Sequence, residues 1–122
     1  MAETSSEIGQ RLRTQWFSAL KEIADLELQR TTWLDAENQN PHWSYIEFVC
    51  CYPDRDQIQT GESEGWLSPT EAGILLDFGK TLLAYNAPGG KDYDHRSILD
   101  DIEWQTVTSK ARAALGKMIE PK

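Results

Sequence analysis

Apolar residues recur every three or four positions along the first 30 residues, the spacing that places them on one face of an α-helix. Ser5 or Ser6 can cap the start of this helix, because serine favours the N-cap position. The stripe that follows consists of Ile8, Leu12, Trp16, Leu20, Ile23 and Leu26 or Leu28. The pattern predicts one helix over residues 6–30, the longest in the chain, which ends near Thr31 and Thr32.

A second helix is predicted to begin after Asn40, a good N-cap residue, with Pro41 at its first position. Pro53 ends it, since the residue before a proline is driven out of helical geometry. Tyr45, Phe48 and Tyr52 fall on one face of this central helix. A strand over residues 45–52 is the alternative, because β-branched and aromatic residues are frequent there. The cap and the absence of period-two alternation favour the helix.

Residues 53–67 carry several acids and two glycines, and they are predicted to form an acidic loop. Ser68 and Glu71 make a capping box with Pro69 between them, which opens a third helix. Its predicted buried face is Leu75, Phe78, Leu82 and Tyr85. Residues 91–99 form a second acidic connector with one helical turn at residues 97–99.

A final helix is predicted to begin at Asp100, with Glu103 completing a capping box. Its apolar stripe is Trp104, Val107, Ala111, Ala114 or Leu115, and Met118. Together these patterns predict an all-α fold, a compact bundle of about four helices with two acidic connecting loops. A chain of 122 residues is expected to form a single helical domain over residues 1–122.

The distribution of charge along the chain limits the classes of partner that the protein is expected to bind. The net charge is −8, and residues 31–103 hold fourteen acidic and four basic residues, a net of −10. That segment disfavours binding to a nucleic-acid backbone or to an anionic membrane surface, and it favours a basic protein partner. No apolar run approaches the roughly 20 residues that span a bilayer, and the N-terminus lacks the apolar core of a secretory signal. Adjacent Cys50 and Cys51 are expected to be free thiols, which predicts a cytoplasmic location.

The candidate partner-binding residues combine carboxylates with two tryptophans at predicted helix ends. An aromatic ring rimmed by carboxylates suits a partner rich in Arg or Lys. The ten candidates are Trp33, Asp35, Glu37, Asp54, Asp56, Glu62, Glu64, Trp66, Asp92 and Asp94. Two plainer interpretations remain: the acids keep the protein soluble, and the tryptophans fasten loops to the bundle.

Catalysis and metal binding have weaker support. His42 and His95 are the two imidazoles, and both cysteines lie within a predicted helix, away from the N-terminal position that activates a thiol. Asp92, Asp94 and His95 offer metal-ligand types without the spacing of a calcium loop. We therefore expect no catalytic residue, metal or cofactor. The alternative function is a small metal-binding or hydrolytic enzyme that uses His42, Glu47 and Cys51, or Asp92, Asp94 and His95. A subunit that self-associates through the first helix is a third possibility.

Three segments carry a resemblance that covers most of residues 33–107: residues 33–48, which end in NPHWSYIEF, then EGWLSPTEA and KDYDHRSILDDIEWQTV. They resemble small acidic bacterial proteins, some of which are similar to immunity partners of polymorphic or contact-dependent toxins. The resemblance implies a cytoplasmic protein that occludes a toxin by direct binding. It assigns no role to any single residue.

Overall fold

The computed structural model describes residues 4–40 and 42–118. Within these ranges the chain forms helices and no strand, which confirms the all-α prediction. The seven α-helices of the described residues are α1 (Ser5–Ile23), α2 (Leu26–Trp33), α3 (Tyr45–Cys51), α4 (Arg55–Ser63), α5 (Pro69–Ala84), α6 (His95–Asp100) and α7 (Ile102–Lys117). A 3-10 turn covers Pro88–Gly90. The prediction of about four helices was wrong, because individual capping residues begin and end helices at positions that the sequence analysis did not identify. None of the helices described is both long enough and apolar enough to cross a membrane.

The first predicted helix is two helices, because Asp25 interrupts it. The Asp25 carboxylate accepts a hydrogen bond from the backbone N–H of Leu28 at 3.0 Å, which makes it the N-cap of α2. An N-cap residue leaves helical geometry, so the chain turns between Ile23 and Leu26. The apolar spacing continues across this break, which is why periodicity alone did not reveal it. At 19 residues α1 is still the longest helix described.

The turn between α1 and α2 is closed by the side chain of Gln29, which is fully buried. Its amide nitrogen donates to the backbone oxygens of Glu22 at 3.0 Å and Ile23 at 2.9 Å. Its amide oxygen accepts from the indole N–H of Trp104 at 2.9 Å. One side chain thus caps the carboxyl end of α1 from α2 and joins both helices to α7.

The second predicted helix begins four residues later than expected. The Asn40 side chain accepts from the backbone N–H of His42 at 3.1 Å, which forms a turn instead of a helix cap. Ser44 is the N-cap of α3, and its hydroxyl accepts from the backbone N–H of Glu47 at 3.2 Å. The predicted start at Pro41 lies outside the described residues. The strand alternative over residues 45–52 was wrong.

Residues 53–67 were predicted to be a loop, but most of them form α4. Asp54 and Gln57 make a reciprocal capping box, with hydrogen bonds of 2.8 and 2.9 Å. The helix ends in a Schellman turn, in which Gly65 takes the left-handed conformation and the Trp66 N–H donates to the Gly61 oxygen at 2.8 Å. Only Ile58 and Gly61 of α4 are buried, so the helix gives little periodic signal.

The third predicted helix was correct. The Ser68–Glu71 capping box opens α5, and Leu75, Phe78, Leu82 and Tyr85 are all buried as predicted. The last helix begins one residue later than predicted, because Asp101 is its N-cap and Asp100 ends α6. The connector contains more helix than its single predicted turn.

Helix α5 packs against α4 and α7, while α1 packs against α2, α3 and α7. Large side chains from several helices meet in one connected core around Trp104, which is fully buried. An ion pair between Arg13 and the buried Glu71 links α1 to the first turn of α5. Burial by itself raises the pKa of Glu71, but the hydrogen bonds from Arg13 and Ser68 outweigh it and hold that pKa below its usual value.

Replacing Gln29 with Leu should lower the free energy of unfolding by about 2–4 kcal/mol, because two carbonyls and the Trp104 N–H lose their partner in the core. Urea denaturation followed by circular dichroism measures the loss. Gln10→Leu, on the exposed side of α1, is the control and should change stability by less than about 0.5 kcal/mol. Equal effects of the two substitutions would contradict this role of Gln29.

Replacing Glu71 with Gln should cost about 1 kcal/mol at pH 7 while keeping the capping box, since glutamine also serves at this position. The folded-state pKa of Glu71 is lowered, so its stabilisation is present above the unfolded pKa of about 4.3 and disappears as pH falls through the folded value. The stability gap between the two proteins should therefore close in acid. Asp77→Asn, at an exposed acid of the same helix, is the control. A gap that stays constant between pH 7 and pH 3 would refute the assignment.

Candidate functional site

Three exposed carboxylates lie in α4 or directly after it, and we call them the acidic face of α4: Asp56 and Glu62 within the helix and Glu64 at its C-cap. At about 100° per residue, Glu62 projects to a different side of the helix from Asp56 and Glu64. All three side chains are exposed, and Asp56 and Glu64 border a shallow depression along the helix. Within the described ranges none of the three has an ion-pair partner. Their charge therefore remains available to a cation from outside the chain.

Two other predicted partner-binding carboxylates are occupied as helix caps. Asp54 caps α4, and Asp94 caps α6 by accepting from the Ser97 hydroxyl at 2.8 Å and the Ser97 backbone N–H at 3.3 Å. These two hydrogen bonds hold the pKa of Asp94 below its ordinary value. Capping satisfies backbone N–H groups that a helix leaves open at its start. Their presence thus has a structural reason that does not require a partner.

The remaining predicted acids lie on two further segments. Asp35 and Glu37 are exposed between α2 and α3, where the Asp35 carboxylate accepts from the Glu37 backbone N–H at 3.0 Å. Asp92 is exposed before α6 and, after burial, is the second cause that raises the pKa of Tyr45. The predicted acids are therefore distributed over three segments, and only Asp56 and Glu62 lie within the same helix, with Asp54 and Glu64 at its two ends.

The prediction that Trp33 meets a partner requires correction, because the side chain is in the core. It is 5% exposed, and its ring lies 5.1 Å from Phe48, 5.3 Å from His95 and 6.0 Å from Trp104, measured between centroids. The sequence placed it at a helix end beside acidic residues, and α2 does end there. That end faces the aromatic core, and a ring buried at this depth is unavailable to another protein.

Trp66 is partly buried and lies against α1. A Cβ atom at Gly9 would come within 2.1 Å of the Trp66 indole, so only glycine permits this contact. The plainer interpretation of Trp66, a ring that fastens the α4–α5 turn to the bundle, therefore has a structural basis. It also explains the glycine inside α1, which would otherwise only weaken that helix.

The structure brings together His42 and Cys51 and adds Glu22, which the sequence did not indicate. His42 Nε2 lies 2.7 Å from the Glu22 carboxylate, and His42 Nδ1 lies 4.0 Å from the Cys51 sulfur. The three side chains border a cleft of about 440 Å³ that Trp16 and Gln57 also line. Glu22 is 20 residues from His42 in sequence, and only the packing of α1 beside α3 brings the two together.

A carboxylate, an imidazole and a thiol in contact in this order are the groups of a nucleophilic catalytic site. Here the surroundings of the thiol disfavour its reactive thiolate form. Burial raises the pKa of the Cys51 thiol, and the charges of Glu47, Glu22 and Cys50 raise it further. Cys51 is also the last residue of α3, where the helix dipole disfavours an anion. Because the thiolate is the reactive form, a raised pKa lowers the fraction of Cys51 that can react at neutral pH. The contact between His42 and Glu22 ties His42 to α1.

The Asp92, Asp94 and His95 combination does not converge. His95 Nε2 accepts from the Tyr45 backbone N–H at 3.4 Å, and its ring lies against Trp33, whereas Asp94 caps α6 and Asp92 is exposed. Among residues 4–40 and 42–118, no group of three or more His, Cys, Asp or Glu side chains could hold a metal ion.

A larger cavity lies between the end of α3, the start of α4 and the second half of α5. This apolar groove has a volume of about 680 Å³. Its lining includes Val49, Ile58, Leu76, Leu82 and Leu83, with Cys50 at its edge. The sequence analysis did not find it, because its walls depend on α4, which was expected to be a loop.

Comparisons of the chain with models of protein families, with curated protein sequences and with solved structures found no match.

In a Cys50→Ser background, Cys51 should react slowly with iodoacetamide at pH 7.5, with an apparent pKa above the roughly 8.5 of a free cysteine. Glu47→Gln should speed the reaction about two- to fivefold, because removing a nearby negative charge lowers the thiol pKa. Glu27→Gln, an exposed change on α2, is the control and should leave the rate unchanged. If Cys51 is alkylated faster than free cysteine at this pH, its thiol pKa is lowered and Cys51 is a candidate nucleophile.

Proposed function

We propose that this protein is a non-catalytic binding protein that engages a basic protein partner through the acidic face of α4. The observation that carries the proposal is the set of three exposed carboxylates, Asp56, Glu62 and Glu64, with no ion pair among the described residues. They lie within a segment of net charge −10. Such a field attracts cationic surfaces and speeds their diffusional encounter.

The acidic face differs from the rest of the protein's negative charge. Four of the seven α-helices described have an Asp N-cap, namely Asp25, Asp54, Asp94 and Asp101. Glu71 is paired with Arg13. These carboxylates stabilise the fold, while Asp56, Glu62 and Glu64 make no hydrogen bond or ion pair of that kind within the described ranges. We propose that these three carboxylates bind a partner.

The specific form of the proposal follows the resemblance of residues 33–107 to small acidic bacterial proteins. A cytoplasmic immunity protein that blocks a basic toxin would use such an acidic face to occlude its partner. Six of the ten predicted contact residues remain exposed carboxylates without a capping role: Asp35, Glu37, Asp56, Glu62, Glu64 and Asp92.

The decisive experiment compares two triple charge reversals of equal net charge. Asp56→Lys, Glu62→Lys and Glu64→Lys change the acidic face, and the control changes Glu27, Asp77 and Glu103, three exposed acids on α2, α5 and α7, to Lys. Each set moves the net charge from −8 to −2. Asp54 is left unchanged because losing a cap would cost about 1 kcal/mol of stability.

Each tagged protein is used to capture binders from a lysate of the source cells at 50 and 300 mM salt, and the captured chains are identified by mass. We expect the native protein and the control to retain the same basic protein at low salt, and the acidic-face variant to lose it. With that partner purified, the association rate should fall at least about tenfold in the variant and also fall steeply with salt. Equal retention by both variants, or a rate insensitive to salt, would refute the proposal.

A further inference from the structure

The apolar groove exists because α4 is shorter than the helix it packs against. At 1.5 Å per residue α5 is about 24 Å long and α4 about 14 Å, so the second half of α5 extends past the start of α4. The chain entering α4 crosses α5 there, with the Tyr52 hydroxyl donating to the Leu75 oxygen at 2.6 Å. Tyr52 passes close to Gly79, where a Cβ atom would lie 3.3 Å from its ring. Glycine at position 79 thus lets the Tyr52 ring approach α5 closely.

The walls of the groove are apolar and partly uncovered. Leu83, on the outer wall, is 78% exposed although leucine normally seeks the interior. The volume of about 680 Å³ falls within the range of roughly 300–1,000 Å³ found for small-molecule sites. The groove is therefore large enough to bury the apolar surface of a small ligand.

Two cations line this apolar groove. Residues 31–103 contain four basic residues, and two of them, Arg55 and Lys80, line the groove. Neither has an ion-pair partner among the residues that the structure describes. The acid beside them, Asp54, already serves as the cap of α4. An unpaired Arg and Lys at the groove of an acidic protein complement an anionic group.

We propose that the groove binds a small amphipathic carboxylate, an anion with an unbranched hydrocarbon chain. The chain lies along Val49, Ile58, Leu76 and Leu83, and the carboxylate meets Arg55 and Lys80. The site is separate from the acidic face of α4 and does not depend on a protein partner. Apolar walls provide most of the affinity, and the two cations select a negative head group over a neutral or positive one.

The test uses decanoate, decanol and decyltrimethylammonium, each below its micelle concentration, in calorimetric titrations of the full chain. We expect saturable 1:1 binding of decanoate, weaker binding of decanol and the weakest binding of the cation. Each methylene added between octanoate and decanoate should tighten binding about fourfold. Equal affinity for the three head groups, or no saturable binding, would overturn the proposal.

Substitutions of exposed groove residues separate binding from folding. Arg55→Gln and Lys80→Gln should each weaken decanoate binding about three- to tenfold and leave decanol unaffected. Lys110→Gln, a lysine of α7 outside the groove, is their control. Leu83→Glu should abolish binding, while Ile102→Glu, at a hydrophobic side chain that is 76% exposed elsewhere, should not. Equal effects of Leu83→Glu and Ile102→Glu on decanoate binding would overturn the assignment. It would also be overturned if the native protein formed a dimer that the Leu83→Glu substitution dissociates and that decanoate leaves intact.

The adjacent cysteines give an independent readout. Cys50 lines both the groove and the cleft beside His42, whereas Cys51 lines that cleft and does not line the groove. Decanoate should slow the alkylation of Cys50 in a Cys51→Ser variant and leave that of Cys51 in a Cys50→Ser variant unchanged. Equal protection of both thiols would mean a nonspecific effect and would count against the site.

Discussion

The buried amide of Gln29 is the interaction on which the rest of the fold depends. It satisfies two carbonyls at the end of α1 and the indole N–H of Trp104, so one side chain fixes three helices. A buried polar group is tolerated only when its hydrogen bonds are made, and here both the donor and the acceptor side of the amide are used. The break between α1 and α2 and the position of α7 are thereby determined together. The aromatic core around Trp104 packs against these three helices.

The strongest local signals in the sequence predicted the structure well, while features that arise from packing were missed. The Ser68–Glu71 capping box and the apolar stripe agreed at α5 and identified that helix. The stripe also identified α7, although its predicted cap was one residue too early. The break at Asp25 and helix α4 were missed, although the capping signals at Asp25 and at Asp54 and Gln57 were legible in the chain. Helix α4 buries so little that periodicity cannot reveal it. Trp33 was placed on the surface, since nothing in one sequence tells which way a helix end faces.

For the candidate sites, sequence reasoning recognised residue types and could not recognise partners in space. His42 and Cys51 were considered together, yet Glu22, which orients the imidazole, comes from another helix. The apolar groove joins residues 49–59 to residues 76–83 and could not be foreseen without α4. The acids were visible at once, but only the structure divides them into helix caps, an ion pair with Arg13 and exposed carboxylates. That division reduces the candidate binding residues from all the acids of the chain to the few exposed carboxylates that have no structural role.

The contact between Trp66 and Gly9 has a consequence for how rigidly the outer helices are held. The indole follows directly after α4 and rests on the backbone of α1 near the amino end of the chain. Leu67 beside it is buried next to Gly61. The turn between α4 and α5 is thus anchored to α1, so the backbone that carries Glu62 and Glu64 is held in place before any contact is made. For the binding role that we propose, such a surface would avoid the entropic cost of ordering a loose loop.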